Sequence, residues 1–363
     1  MKKLFNLFIS LILAKWIFKR PKNKKILIYD REGSEIFSLF LKKNSFEILD
    51  SRRESVNFYI LLYTVYNNGF LNFIKNYRVN YIKIVAPKFV ITIIDNNLSF
   101  YQLKDLFNKM IFISIQGGRR DNIFFDQCKD YYFRTNKRLS VDYFFVLGRN
   151  EIKRFDKYIN AKFYPLGSLR NNYFILEEKK KLNNKKKVLF ISKKYNFLLG
   201  DHEIRTFNAV YQYCLNKGYQ LSLCTRSYSF EEKYFRDRLI KGDWIYIPYS
   251  METSYNSVNS SDIIIYTNST LGLEALIKNK KVVAFPLDSR SFPIKGYDKK
   301  YGSSGPFWMS NFTDKKAHQL IRKVENYSQF QWKFIIKKYV SDIISYNPKN
   351  KFLIKKIKDI YDL

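Results

Sequence analysis

Short apolar runs, many of them β-branched, alternate along this chain with segments of helical periodicity, and each run stops on a polar or glycine-containing turn. In the first half, residues 25–30, 46–50, 89–94, 110–115 and 143–147 read as strands. In the second half, 188–192, 220–224, 244–247, 263–266 and 282–285 do the same. Continuous rather than alternating apolar runs mark parallel strands covered on both faces. The implied fold class is α/β, with two doubly wound, Rossmann-like parallel sheets. The expected division is an N-terminal segment over residues 1–23, a first domain over 24–170, a linker over 171–187 that is Lys-rich, a second domain over 188–313 and a helical tail over 314–363. The tail pattern breaks at Tyr346-Asn347-Pro348, and the tail is expected to pack back across both domains.

The densest signal is SDIIIYTNSTLGLEALIKNKKVVAFP, residues 261–286, which reads as strand, polar turn, helix and second strand. Thr267, Asn268, Ser269 and Thr270 each carry a side-chain oxygen able to cap a helix N-terminus. Such a helix start presents unpaired N–H groups and a partial positive charge, which suit a phosphate. The plain alternative is a helix cap and nothing more. Glu274 lies one turn after Thr270 on the same side, where it either meets the hydroxyls of a ribose or sugar, or is simply solvated.

Residues 4–18 are largely apolar and are bracketed by Lys2-Lys3 and by Lys19-Arg20-Pro21-Lys22. That is short for a membrane span and lacks a small-residue cleavage site. The expectation is an amphipathic, basic anchor lying on the inner-membrane surface, or else a buried helix. The formal charge is +33, yet the lysines are scattered among Asn, Ile, Tyr and Phe, which weakens a nucleic-acid reading. No nucleic acid is expected as a partner. With 46% hydrophobic residues the chain is not disordered. Cys128, Cys214 and Cys224 lack metal spacing, so a reducing compartment and no metal site are expected.

Several pieces together resemble the transferases encoded in bacterial surface-carbohydrate gene clusters: LIYDREG at 27–33, LDSRRESVNFYILL at 49–62, ITIIDNN at 91–97, ISIQGGRRD at 113–121, PLGSLRNNYF at 165–174, TNSTLGLEAL at 267–276 and GPFWMS at 305–310. The resemblance runs from about residue 24 to the C-terminus. It implies a GT-B-like fold, two domains facing a cleft, with a nucleotide-activated sugar donor in the C-terminal domain and a surface-glycan acceptor, lipid-linked or oligosaccharide, on the N-terminal side. It is more distantly similar to the capsule and teichoic-acid transferases. Many retaining enzymes of this fold carry two Glu residues eight apart; here Tyr266 stands at that distance before Glu274, so inversion is the expected outcome.

Glycosyl transfer requires stabilisation of the departing phosphate and, for inversion, a base for the acceptor hydroxyl. Ser269, Thr270, Asn268 and Glu274 are the candidate donor-binding residues, helped by Lys193, His202 and Arg226 at neighbouring strand ends. Asp95, just past a buried strand, is the first candidate base, or else an Asx-turn cap; Asp30 and Glu32 come next. Gly117 and Gly118 allow close backbone approach to a ligand or merely a tight turn, with Arg119 and Arg120 positioned to hold an anionic acceptor or the donor diphosphate. No bound cofactor is expected, and the enzyme is expected in the cytoplasm, peripheral on the membrane's inner face. Two other classes fit the residues: a CDP-alcohol phosphotransferase moving glycerol or ribitol phosphate, and a non-catalytic protein binding polyanions or membrane.

Overall fold

The computed structural model describes residues 13–39, 41–42, 45–50, 55–69, 73–120, 122–174, 185–192, 200–225, 229–248, 250–267, 269–286 and 302–361. The chain forms two units, Met1–Leu169 with Phe352–Leu363, and Arg170–Lys351.

Unit 1 contains β1 (Lys15–Ile17), β2 (Ile26–Tyr29), a 3-10 turn (Ser34–Leu39), β3 (Phe46–Leu49), β4 (Ser55–Asn57), α1 (Phe58–Asn68), α2 (Phe73–Val85), β5 (Phe89–Thr92), α3 (Leu98–Lys104), β6 (Ile111–Ile115), α4 (Asn122–Thr135), β7 (Leu139–Val146), α5 (Arg149–Phe155) and β8 (Ile159–Pro165). Its main sheet has the order β3-β2-β5-β6-β7-β8, and every pairing is parallel. Leu27, Val90, Phe112 and Phe144 from the strands meet Ile82, Phe100, Phe124 and Phe155 from the helices in one core. Asn57 and Asn97 cap α1 and α3 by accepting the N–H groups of Ile60 and Ser99, which satisfies donors that a helix start leaves unpaired.

Unit 2 contains α6 (Leu169–Tyr173), β9 (Lys187–Ile191), α7 (Gly200–Lys217), β10 (Gln220–Cys224), α8 (Ser229–Arg238), β11 (Ile245–Ile247), α9 (Met251–Ser260), β12 (Ile263–Tyr266), α10 (Thr270–Ile277), β13 (Lys281–Ala284), α11 (Asp314–Asn326) and α12 (Gln329–Tyr339). Its parallel sheet has the order β11-β10-β9-β12-β13. Ser269 caps α10, and Asn279 closes it in the left-handed region at φ 60°, where Asn is tolerated. The GPFWMS segment runs along β13: Phe307 O accepts the Ala284 N–H, and Ala284 O accepts that of Met309. It is a sheet-edge element with Phe307 packed on Trp332.

The chain departs from expectation at several elements. The expected N-terminal anchor is not helical at Lys15–Ile17, which pairs in parallel with β4; the β-branched and aromatic Trp16 and Ile17 suit a strand. Residues 1–12 of that segment lie outside the described residues, as do 175–184 of the Lys-rich linker. β8 lengthens the first sheet by an edge strand where only an exit was expected. The tail holds three α-helices and a 3-10 turn (Pro348–Asn350): α11 and α12 belong to unit 2, while α13 (Lys351–Tyr361) carries Phe352, which belongs to unit 1 and packs there on Phe145 and Tyr164.

Candidate functional site

In a doubly wound sheet, ligands bind beyond the carboxyl ends of the strands where the strand order reverses. In unit 2 that point lies between β9 and β12, each of which ends on a hydroxyl residue, Ser192 and Thr267. Both hydroxyls donate to one carboxylate, Glu203 in the first turn of α7: Ser192 Oγ reaches Oε2 at 2.7 Å and Thr267 Oγ1 reaches Oε1 at 2.6 Å. Glu203, Ser192 and Thr267 are all buried. The shared carboxylate therefore ties the two strand ends to the start of α7 and fixes the turn that leads into α10.

At α10 the Ser269 hydroxyl accepts the Leu271 N–H at 3.3 Å. Thr270 follows as the first helical residue and is half-buried. Lys193, Asn268 and Arg226 lie outside the described residues.

His202, next to Glu203, is committed elsewhere: its Nε2–H donates to Phe285 O at 2.9 Å. Burial lowers its pKa, the Phe285 contact acting in the opposite direction and Arg205 adding to the fall. A neutral imidazole is no cation for a phosphate, which corrects its expected role. Glu274 is corrected too. It is buried and its Oε2 accepts the Tyr255 hydroxyl at 2.5 Å, one turn from Lys278, whose Nζ donates to Phe174 O. Burial lowers the Lys278 pKa to about 8, against the pull of Glu274. A ribose reaching Glu274 would have to displace Tyr255 from the interior.

In unit 1 the order reverses between β2 and β5. Of the expected bases, Asp30 directly follows β2, and Asp95 follows the end of β5 by three residues. Their environments differ. Asp95 is 0% exposed; it accepts the Gly117 N–H at 2.9 Å and Arg120 Nε at 2.7 Å, with Arg120 Nη2 on its other oxygen. With a guanidinium on both oxygens and a backbone N–H on one of them, three of the roughly four acceptor positions of the Asp95 carboxylate are filled, so its part here is to hold Arg120 and the Gly117 turn. Arg120 is correspondingly committed, and Arg119 Nε pairs with Glu151 Oε1 at 3.4 Å. Glu151 also accepts Arg154 and Gln116 Nε2, while Gln116 Nε2 also donates to Gly118 O. The arginines expected to hold an anionic ligand thus neutralise the buried acids Asp95 and Glu151.

Gly117 is required by a neighbouring backbone: a Cβ there would lie 2.6 Å from Ile93 O. Asp30, by contrast, stands at φ 90°, a conformation uncommon for a residue with a side chain and typical of functional turns. It is buried and its Oδ1 accepts the Glu32 N–H at 3.1 Å. Glu32 itself is exposed. Among the described residues, no group of three or more His, Cys, Asp or Glu is arranged to hold a metal ion.

Sequence reading missed Glu203 and Glu151. Each is an acid in a first helical turn, Glu203 beside Asp201, and nothing local separates such a residue from one that merely complements the helix dipole.

The chain matches a family model described as "putative O-antigen biosynthesis protein" over residues 113–197 and 197–361. No curated protein matches it. Among solved structures it is similar to a UDP-N-acetylglucosamine 2-epimerase, with 11% identity, coverage of 94% of this chain and 97% of the other, and TM-score 0.59. It is also similar to the Anabaena protein HepE in complex with UDP and glucose, with 10% identity, 93% and 99% coverage, and TM-score 0.57. A third is the wall teichoic acid polymerase TagF, with 12% identity, 99% and 97% coverage, and TM-score 0.54. At these identities the likeness is one of fold, and the fold is GT-B-like. Because the family model spans more than half of the chain, this protein belongs to the family of O-antigen biosynthesis proteins that the model describes.

Proposed function

We propose that this protein is a glycosyltransferase that moves a sugar from a nucleotide-activated donor to a lipid-linked or oligosaccharide acceptor in surface-glycan synthesis, O-antigen or capsule. The observation that carries this reading is the order-reversal point of unit 2, where Glu203 holds the Ser192 and Thr267 hydroxyls beside the capped start of α10. The N–H groups of that helix start and the Thr270 hydroxyl take the donor phosphates, with Lys193, Asn268 and Arg226 as further contacts.

Transfer proceeds by inversion, without metal or bound cofactor. The acceptor hydroxyl gives its proton to a carboxylate and its oxygen bonds to the anomeric carbon. The bond from that carbon to the phosphate oxygen breaks, and the nucleoside diphosphate leaves with both electrons, its charge stabilised at α10. Asp30 is the base, supported by its strained position at the order-reversal point of unit 1, and Glu32 lies beside it. The protein works in the cytoplasm at the inner face of the membrane, where lipid-linked acceptors are held.

The fold likeness to TagF over nearly all of both chains favours one second reading, transfer of an alcohol phosphate from a CDP-alcohol. The test is a thermal-shift panel of UDP-, GDP-, dTDP- and CDP-sugars and CDP-glycerol, repeated with Ser269→Ala/Thr270→Ala, followed by assay of nucleotide release with an acceptor extract. A saturating donor at about 100 times its Kd adds about 2.7 kcal/mol of stability. A shift with one nucleotide sugar, weakened in the double variant, and acceptor-dependent release of nucleoside diphosphate support glycosyl transfer. Release of CMP from CDP-glycerol supports the second reading. Interconversion of a UDP-sugar without acceptor would replace both readings by an epimerase, and no shift with any nucleotide would leave a polyanion- or membrane-binding protein.

A further inference from the structure

α1 has the sequence FYILLYTVYNN and no charged residue, in a chain of which 27% is charged. A helix apolar on all sides is normally buried. This one buries only Ile60 and Thr64. Phe58, Leu62 and Tyr66, four residues apart and therefore on one face, are 38%, 54% and 90% exposed. The ridge continues onto the segment around β1, because the Phe58 ring lies 5.4 Å from that of Phe18 and 6.1 Å from that of Trp16. Phe18 and Leu13 are 72% and 79% exposed.

Cations frame this ridge. Lys15, Lys19, Arg20 and Lys22 are all exposed, Arg20 lies over the Tyr59 ring at 5.2 Å, and no Asp or Glu occurs from Leu13 to Tyr29. Asn57 Nδ2 donates to Lys19 O at 2.7 Å, so the basic segment and the helix are fixed to each other.

We propose that the α1–β1 ridge docks on the surface of an anionic phospholipid bilayer, with Leu13, Phe18, Leu62 and Tyr66 entering the headgroup boundary and the flanking cations meeting lipid phosphates. Aromatic and aliphatic tips beside cations match the chemistry of that interface. Among the described residues no helix is long and apolar enough to cross a membrane. A second copy is disfavoured as the occupant: a symmetric contact would set the same cations against each other in a chain of net charge +33. The inference extends the reading of a membrane-side acceptor but stands on this ridge alone.

The test is flotation of the purified full chain with vesicles of phosphatidylcholine alone and of phosphatidylcholine with phosphatidylglycerol, in the wild type, Leu62→Ser/Tyr66→Ser and Lys15→Glu/Lys19→Glu, with melting temperature and donor-induced thermal shift measured in parallel. The wild type is expected to float with the anionic vesicles and to lose binding as salt rises. The charge pair is expected to weaken binding by at least about tenfold, at roughly fivefold per cation near the surface, and the apolar pair by a comparable factor. Both variants keep the wild-type melting temperature and donor shift, which separates failure of docking from failure of the proposed transfer. Equal flotation of wild type and both variants would overturn the inference, and so would no flotation of the wild type. Conversion of a dimer to a monomer in Leu62→Ser/Tyr66→Ser would also overturn it, in favour of a second copy.

Discussion

At the scale of single residues, two aspartates that look alike in sequence have opposite fates. Asp95 is fully buried against Arg120 and the Gly117 amide, and removing one partner of a buried ion pair leaves the other charge uncompensated. Asp95→Asn is therefore expected to cost about 3 kcal/mol in urea unfolding, a loss of fold that precedes any loss of chemistry; unchanged stability would show the pair to be dispensable. Asp30→Asn should behave the other way, because Asn accepts positive φ readily: stability within about 1 kcal/mol of wild type, donor binding kept, turnover lost. Full turnover in Asp30→Asn would remove it as the base. His202 gives a pH signature. Burial lowers its pKa below the ordinary 6.5, so the unfolded chain takes the proton more readily and stability falls as pH drops through 6.5 toward the folded value, with no contribution above. In His202→Gln the decline of melting temperature between about pH 7 and pH 5 should be shallower than in wild type; parallel curves would mean that His202 is not protected.

At the scale of elements, Gly272 shows how tightly α10 sits on its strand. A Cβ at this position would lie 2.3 Å from the ring of Tyr266, which is fully buried at the end of β12. Gly272→Ala gains about 1 kcal/mol of helix propensity but must displace that ring, and overpacking of this kind costs about 1–3 kcal/mol. A net loss of stability in chemical denaturation is expected, whereas a gain would mean that the ring moves aside at no cost. The elements that were legible in the sequence share this local character. β2, β5, β6, β9 and β12 are almost wholly apolar runs, β10 alternates polar and apolar residues as QLSLC, and the α10 start has its cap residue adjacent in the chain. What was hidden depends on distance. β1 and β4 are three residues each and pair across 40 positions, and β8 mixes exposed and half-buried positions as an edge strand does. Within the site, the Ser269 cap was readable because it spans two residues. The Glu203 bonds to Ser192 and Thr267 span 11 and 64 residues, and the Asp95–Arg120 pair spans 25. Asp95 therefore looks available in the sequence, because its partner lies on another loop.

At the scale of the whole molecule, the charge balance decides how the protein responds to its solvent. It carries 65 Lys and Arg against 32 Asp and Glu, two cations for each acid, so even complete pairing of the acids leaves a large surplus of cations. Several acids are already paired: Asp95 with Arg120 and Glu151 with Arg119 and Arg154 are sheltered, while Glu325 meets the exposed Lys186 and the hydroxyls of Tyr213 and Tyr219. Burial alone would raise the Glu325 pKa, but these contacts outweigh it and bring the value below the ordinary one. Salt has little access to the sheltered pairs of Asp95 and Glu151, while it screens exposed charges over a Debye length of about 10 Å at 0.1 M. Added salt should therefore relieve repulsion among surface cations more than it weakens the pairs. Raising NaCl from about 20 mM to about 300 mM is expected to stabilise the protein by roughly 1 kcal/mol, seen as a rise in melting temperature of about 2–4 °C for units of this size. A fall in melting temperature over the same range would mean that exposed attractive pairs dominate, and that the surplus positive charge is spread too widely for its self-repulsion to govern stability.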